Sequence, residues 1–404
     1  MTARQERIGT PAPGQWFSAA AGVLLLGSFV SSLSAFLVAP YLATQLSAEA
    51  GLSPATVGVL LGTSYWFLRG SSLFAGPVVA RFGYRKVMLY GGALRIPGYA
   101  LLVSHSLVAV TIGLVLVGIG GGLYFPTSKA LLLRIVPEQH QLRALSVRNM
   151  TANTGVAVGP LLGWLTIQSA GPATLFLATS GAFALLAVLV CALPDPVRPS
   201  APAATVRRSL LSTALLGVVV LSFFLGGLLI QLESIVPIRI SGAGLAGLVG
   251  IVFATNAVTV VAAQQPVVRF LQRFGTTASV LAGFGLFGSG LALFAVGEFR
   301  VPVWIGGTVL FSVGEVLLGL VVDDQVRRFP EGVTTSVYGM AGVLDAFGGL
   351  GLGYLGGALI GAARAPADES LVFLAMGIAV ILIGAVLAPL LGRARPSAMP
   401  TTSR

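Results

Sequence analysis

Five ionisable residues, Arg69, Arg95, Glu233, Glu315 and Asp345, each lie inside a long apolar run of the chain, where charge is costly. At 1.5 Å of rise per helical residue, Arg69, Arg95, Glu315 and Asp345 fall in the middle third of a bilayer, with Glu233 somewhat nearer the outer face. A charge at the centre of a spanning helix costs about 2.5–3.5 kcal/mol on insertion scales, so five of them exposed to lipid would cost roughly 12–17 kcal/mol, comparable to a whole folding stability. They must face a cavity or one another. A carboxyl so placed can take up and release a proton as its surroundings change, which makes Glu315, Asp345 and Glu233 the candidates for proton coupling. The competing assignment is a fixed ion pair with Arg69 or Arg95, the intramembrane basic partners, holding helices together.

Polar and aromatic residues in the same runs are candidates to line a substrate cavity, foremost Gln231, Asn153, Asn256, Tyr65 and Tyr124. Packing or interfacial placement accounts for any one of them equally well. Other chemistries lack their residues. The two histidines, His105 and His140, fall in loops without metal-ligand spacing, and the single cysteine, Cys191, lies in an apolar run, so neither a disulfide nor a thiolate cluster is available. No metal or cofactor is expected. The two lysines, Lys86 and Lys129, do not follow glycine as a phosphate-binding loop requires, which excludes an ATP-driven pump on this chain's own terms. An intramembrane enzyme would want a histidine or paired aspartates inside the spans, and no catalytic role is expected. Gly351-Leu352-Gly353-Tyr354-Leu355-Gly356 fits a dinucleotide fingerprint by letters, yet it sits in an apolar run with no strand before it, so it reads as helix packing.

The elements that must hold these residues follow from composition. Of 404 residues, 55% are hydrophobic and 9% charged, about a third of the charge a soluble fold uses to cover its exterior, so lipid must be the covering solvent. Apolar runs punctuated by Gly, Pro and charge predict spanning helices near 17–42, 54–80, 87–104, 107–131, 145–168 and 171–193. Six more are predicted near 211–238, 244–268, 277–297, 302–322, 335–361 and 371–391. The first run is too long for a signal-peptide core. The predicted organisation is an N-terminal six-helix bundle over 1–193, a Pro-, Ala- and Arg-rich cytoplasmic linker over 194–210, and a C-terminal six-helix bundle over 211–404.

The net charge of +11 could suggest nucleic acid, but its basic residues sit at helix ends without aromatic interleaving, so no nucleic-acid partner is expected. With the N-terminus inside, thirteen Lys and Arg fall in the even-numbered turns and five in the tails, against three outside, Arg239, Arg300 and Arg364. That bias predicts both termini in the cytoplasm. The halves also repeat at an offset of 194: Gly113/Gly307, Val115/Val309, Leu116/Leu310, Gly120/Gly314, Arg134/Arg328 and Gly159/Gly353 match. At nearly that offset, Arg81-Phe82-Gly83 is echoed by Arg273-Phe274-Gly275. Six like-oriented helices per half imply a parallel repeat about an axis along the membrane normal.

Three local patterns resemble the major facilitator superfamily. The turn from Gly76 to Lys86, with Arg81, Gly83 and Arg85, is similar to the family's cytoplasmic gating motif, whose usual Asp is replaced by Ala80. Asn153 to Gly163, with Gly155, Gly159, Pro160 and Gly163, is similar to the hinge and packing motif of its proton-antiporting efflux branch. Gly118 to Gly122 with Pro126, and Gln231 six residues before Pro237, also resemble its multidrug exporters. The resemblance implies an all-α membrane fold of two pseudo-symmetric six-helix bundles working by alternating access around a midplane site. It implies a monomer in the cell membrane that exports a small amphipathic molecule against protons. It also favours Glu315, because the fourth and tenth helices line the cavity in this family. An uptake symporter or a non-transporting receptor on the same scaffold are the alternatives.

Overall fold

A computed structural model describes residues 18–49, 54–104, 106–193, 212–233, 235–242, 248–296 and 300–393, and among these the ordered elements are helices, with no strand. The predicted linker lies outside the described residues, as does His105. Helix is the required answer in lipid, where each backbone polar group must be satisfied within its own segment. The chain divides into two compact units, Met1–Ser200 and Ala201–Arg404.

The first unit is built from α1 (Ala19–Glu49), α2 (Pro54–Ser72), α3 (Ala75–Phe82), α4 (Tyr84–Leu101), α5 (Leu107–Ile135) and α6 (Glu138–Cys191). The 54–80 prediction is thus split into α2 and α3 by a turn at Leu73 and Phe74. The predictions for 145–168 and 171–193 are two arms of one 54-residue helical stretch, broken at Gly171, where φ is 80°. Helix α1 packs on α6, while α5 packs on α2 and α4.

The second unit holds α7 (Thr213–Glu233), α8 (Ile235–Gly242), α9 (Leu248–Ala295), α10 (Val301–Val326), α11 (Glu331–Ala362) and α12 (Pro366–Arg393). Helix α9 breaks at Gly275 (φ 77°), which makes two arms from the predicted 244–268 and 277–297 spans. Helix α7 packs on α11, and α9 packs on α10 and α12. By length and apolarity, eight stretches of the described residues qualify as membrane spans. The α4 stretch does not, because Arg85, Lys86 and Arg95 crowd its 18 residues.

The sequence repeat becomes a repeat of close helix contacts. In the first unit, Gly98 faces Gly113 and Gly91 faces Gly120 between α4 and α5, and an added Cβ on Gly91 would lie 2.7 Å from the Gly120 carbonyl oxygen. In the second unit, Gly290 faces Gly307 and Gly283 faces Gly314 between the C-terminal arm of α9 and α10, with an added Gly290 Cβ 2.7 Å from the Gly307 oxygen. Lipid tails are as apolar as the helices, so association relies on such close approach of small residues. The turns repeat too. Gly83 and Gly275 both take positive φ (87° and 77°), and the preceding arginine lies against its neighbouring phenylalanine ring in both copies, at 5.4 Å for Arg81 over Phe82 and 5.2 Å for Arg273 over Phe274.

Candidate functional site

In the second unit the fold brings two of the sequence candidates into contact. Asn256, on the N-terminal arm of α9, donates its Nδ2 to Glu315 Oε2 on α10 at 3.0 Å and lies 2.9 Å from Ser312 Oγ, one turn earlier on α10. Ser312 Oγ in turn donates to the Thr308 carbonyl oxygen at 2.7 Å, so the polar row runs up the α10 axis. Glu315 and Asn256 are both half-buried. Ser312 escaped sequence reasoning, although its place three residues before Glu315 puts it on the same helical face.

Asp345, half-buried on α11, rests against α7: a Cβ on Gly226 would lie 2.8 Å from Asp345 Oδ1. Gln231 on α7 is 1% exposed and donates Nε2 to the Gly227 carbonyl oxygen (2.8 Å) and to the Leu352 carbonyl oxygen of α11 (2.9 Å). Its amide therefore ties α7 to α11. Glu233 closes α7, and its side chain lies outside the described residues. Asp323 and Asp324 are buried at the end of α10, where Asp324 pairs with Arg327 (2.6 Å) and with Arg328.

In the first unit, Arg95 of α4 is only 2% exposed. Its Nη1 donates to Ser31 Oγ on α1 at 2.6 Å, and its guanidinium carbon lies 5.0 Å from the Phe125 ring centre and 4.6 Å from that of Phe183. Its Nη2 lies over Gly121 of α5, 2.7 Å from where a Cβ would be. Tyr124, fully buried, points its Oη at Gly27 of α1. Half-buried Arg69 stacks on the exposed Tyr65 ring at 5.1 Å. Asn153 donates to the Asn149 carbonyl oxygen one turn back on α6 (2.9 Å). Arg148, counted among the thirteen basic residues of the even-numbered turns although the predicted 145–168 span includes it, is 5% exposed within α6 and donates to Ser128 Oγ at 3.3 Å.

The repeat exchanges charge between these places. Gly121 corresponds to Glu315 at the offset of 194, and Arg95 corresponds to Phe287 at the 192 that relates Arg81 to Arg273. Where the first unit lays a cation over a glycine, the second carries an acid.

At the motif turn, Gly76 and Gly83 are buried, Arg81 and Lys86 are exposed, and Arg85 Nη1 donates to the Leu193 carbonyl oxygen at 3.3 Å, just beyond the end of α6. A cation there meets the negative end of that helix. In the other motif, Gly155 and Gly159 let α6 approach α1: added Cβ atoms would lie 2.7 Å from the Phe29 oxygen and 2.9 Å from the Phe36 carbonyl carbon. Gly163 is buried on the same arm, and the side chain of Pro160 lies outside the described residues. Gly353 repeats the role of Gly159, facing Ile230 across α11 and α7.

Long apolar helices with arginines, carboxylates and amides packed between them define a multi-pass membrane protein. Residues 24–349 match the family described as Major Facilitator Superfamily, and the chain belongs to that family. It is 28% identical over 354 residues to the MFS-type transporter YqjV of Bacillus subtilis, covering 82% of each chain. It is 26% identical over 355 residues to the multidrug resistance protein MdtH of Aeromonas hydrophila, covering 85% of this chain and 86% of the relative. Among solved structures, the human organic anion transporter MFSD10 superposes with a TM-score of 0.76 at 18% identity, over 92% of this chain and 99% of that one. The Escherichia coli fucose:proton symporter does so with a TM-score of 0.71 at 15% identity, over 92% and 99%. Both of these likenesses speak to the fold.

Proposed function

We propose that this protein is a monomeric secondary transporter of the cell membrane, with both termini cytoplasmic, that exports a small amphipathic molecule by alternating access coupled to proton entry. Glu315 takes up and releases the proton, Asn256 holds its carboxyl in place, and Ser312 holds the Asn256 amide. The observation that carries the reading is the Asn256 amide seated on Glu315 Oε2 at mid-span. An acid retained at that depth, at a cost of about 2.5–3.5 kcal/mol, is half-buried beside hydrogen-bonding groups of α9 and α10. Export is supported by the resemblance to MdtH along most of the chain and by the close α1–α6 approach at Gly155 and Gly159. Transport of this kind makes and breaks no covalent bond, so no enzymatic role is assigned.

The test uses purified protein in liposomes with an imposed pH gradient and a panel of fluorescent amphipathic dyes. The expected result is dye movement against its gradient that is abolished by a protonophore, and a Glu315→Gln variant that binds dye and exchanges it passively without gradient-driven accumulation. Undiminished gradient-driven accumulation by Glu315→Gln would overturn the assignment. Dye movement in the same direction as protons would replace export with uptake, and binding without any movement would replace transport with reception.

A further inference from the structure

The first unit holds a buried cation, Arg95, in a half of the chain that has few acids. Before residue 201 the chain has four acids, Glu6, Glu49, Glu138 and Asp195. Glu49 ends α1, 18 residues past Ser31, which is about 27 Å along the helix axis. Glu138 opens α6 only after α5 has run about 21 Å beyond Gly121. Glu6 precedes α1 and Asp195 follows α6. Among the described residues Arg95 has no carboxylate partner.

A guanidinium has five N–H donors. Among the described residues that of Arg95 makes one hydrogen bond, to Ser31, and its Nε is buried without a partner. Tyr124 Oη is buried without a partner as well. The two groups share one strip between α1 and α5. Gly27, which faces Tyr124 Oη, lies one turn from Ser31, which faces Arg95 Nη1, about 6 Å along α1. Gly121, under Arg95 Nη2, lies three residues before Tyr124 on α5. Orphaned buried donors are uncommon in native structures and each is costly, more so when charged. The group that would satisfy both is an anion's oxygen, and a planar carboxylate matches the edge of a guanidinium. Beside it, Phe125, Phe183 and the Tyr99 ring stacked on Phe183 at 5.4 Å offer an apolar wall.

We infer that Arg95 and Tyr124 form an anion-recognition position within the N-terminal unit, and that the substrate it selects is an amphipathic molecule bearing a carboxylate. The word substrate rests on the transport reading above, whereas the binding itself requires no proton gradient. Full-length protein in lipid nanodiscs is titrated at equilibrium with dansyl-labelled undecanoic acid and with its methyl ester. The acid is expected to bind at least tenfold more tightly than the ester. Arg95→Gln is expected to remove that preference while leaving ester affinity unchanged, and Arg95→Lys to keep part of it. Tyr124→Phe retains the buried cation and is the variant to use if Arg95→Gln does not fold; it is expected to weaken acid binding several-fold without touching the ester. Equal binding of acid and ester by the unaltered protein, or a preference that survives Arg95→Gln, overturns the inference. Thermal stabilisation by chloride over gluconate that depends on Arg95, without any preference for the acid, overturns the substrate class and leaves an inorganic-anion site. Failure of the transport reading would show separately, as intact acid preference with no gradient-driven movement.

Discussion

Two adjacent glycines on α4 allow the contact argument to be tested without changing helix, depth or chemistry. At Gly91 an alanine methyl would sit 2.7 Å from the Gly120 carbonyl oxygen and 3.2 Å from the Tyr124 Cβ, both anchored to the α5 backbone or close to it. At Gly92 the nearest atom would be the Ala187 Cβ at 4.0 Å. No real Cβ tolerates the first arrangement, so α4 and α5 must move apart along a face that also holds the Gly98 and Gly113 contact. Overpacking of this kind costs about 1–3 kcal/mol. Gly92→Ala meets no obstacle and gains up to about 1 kcal/mol of helix propensity. For a unit of about 200 residues the expectation is a fall in Tm of roughly 2–12 °C for Gly91→Ala, and no change or a small rise for Gly92→Ala. Fluorescence-detected size exclusion of detergent-solubilised protein after heating reads both. Equal melting of the two variants would refute the claim that glycine contacts set the spacing of α4 and α5.

The turn glycines and the Arg239–Glu369 ion pair carry further expectations. Gly83→Ala forces a β-carbon into positive φ and is expected to cost about 1–2 kcal/mol, as is Gly275→Ala at the matching turn, with both visible as lowered Tm against a Gly285→Ala control that has open space and helical φ. Arg239 of α8, 2% exposed, pairs with Glu369 of α12 at 2.8 Å and donates to Ser370 Oγ at 2.7 Å. Glu369→Gln is expected to lower stability by about 1–3 kcal/mol through the charge it leaves buried, a loss that added salt does not mimic; an unchanged Tm would show the pair to be incidental.

Apolarity and its interruptions are properties read along one chain, and that is why so much of the fold was legible. The helical breaks at Gly171 and Gly275 fall where the runs predicted one span to end and the next to begin, because a turn between spans needs a residue that accepts positive φ. The depth of Glu315 along its run could be counted residue by residue, whereas its preference over the other acids came from the family resemblance. What the residues touch was not legible. The Gly113/Gly307 and Gly120/Gly314 matches were visible as letters, yet only packing revealed their partners, Gly98 with Gly290 and Gly91 with Gly283. Likewise, Ser31 and Arg95 are 64 positions apart, and Asn256 and Glu315 are 59 apart. The split of α2 from α3 at Leu73 and Phe74 was not predicted from the 54–80 run, and the contact of Arg148 with Ser128 joins residues 20 positions apart. Sequence alone determined that this chain lives in lipid and crosses it repeatedly, because solvent preference sums over single residues. Tertiary structure alone decided which buried charges meet a partner, because an ion pair or hydrogen bond needs two groups within about 3 Å, a distance that belongs to the packing of helices rather than to any one of them.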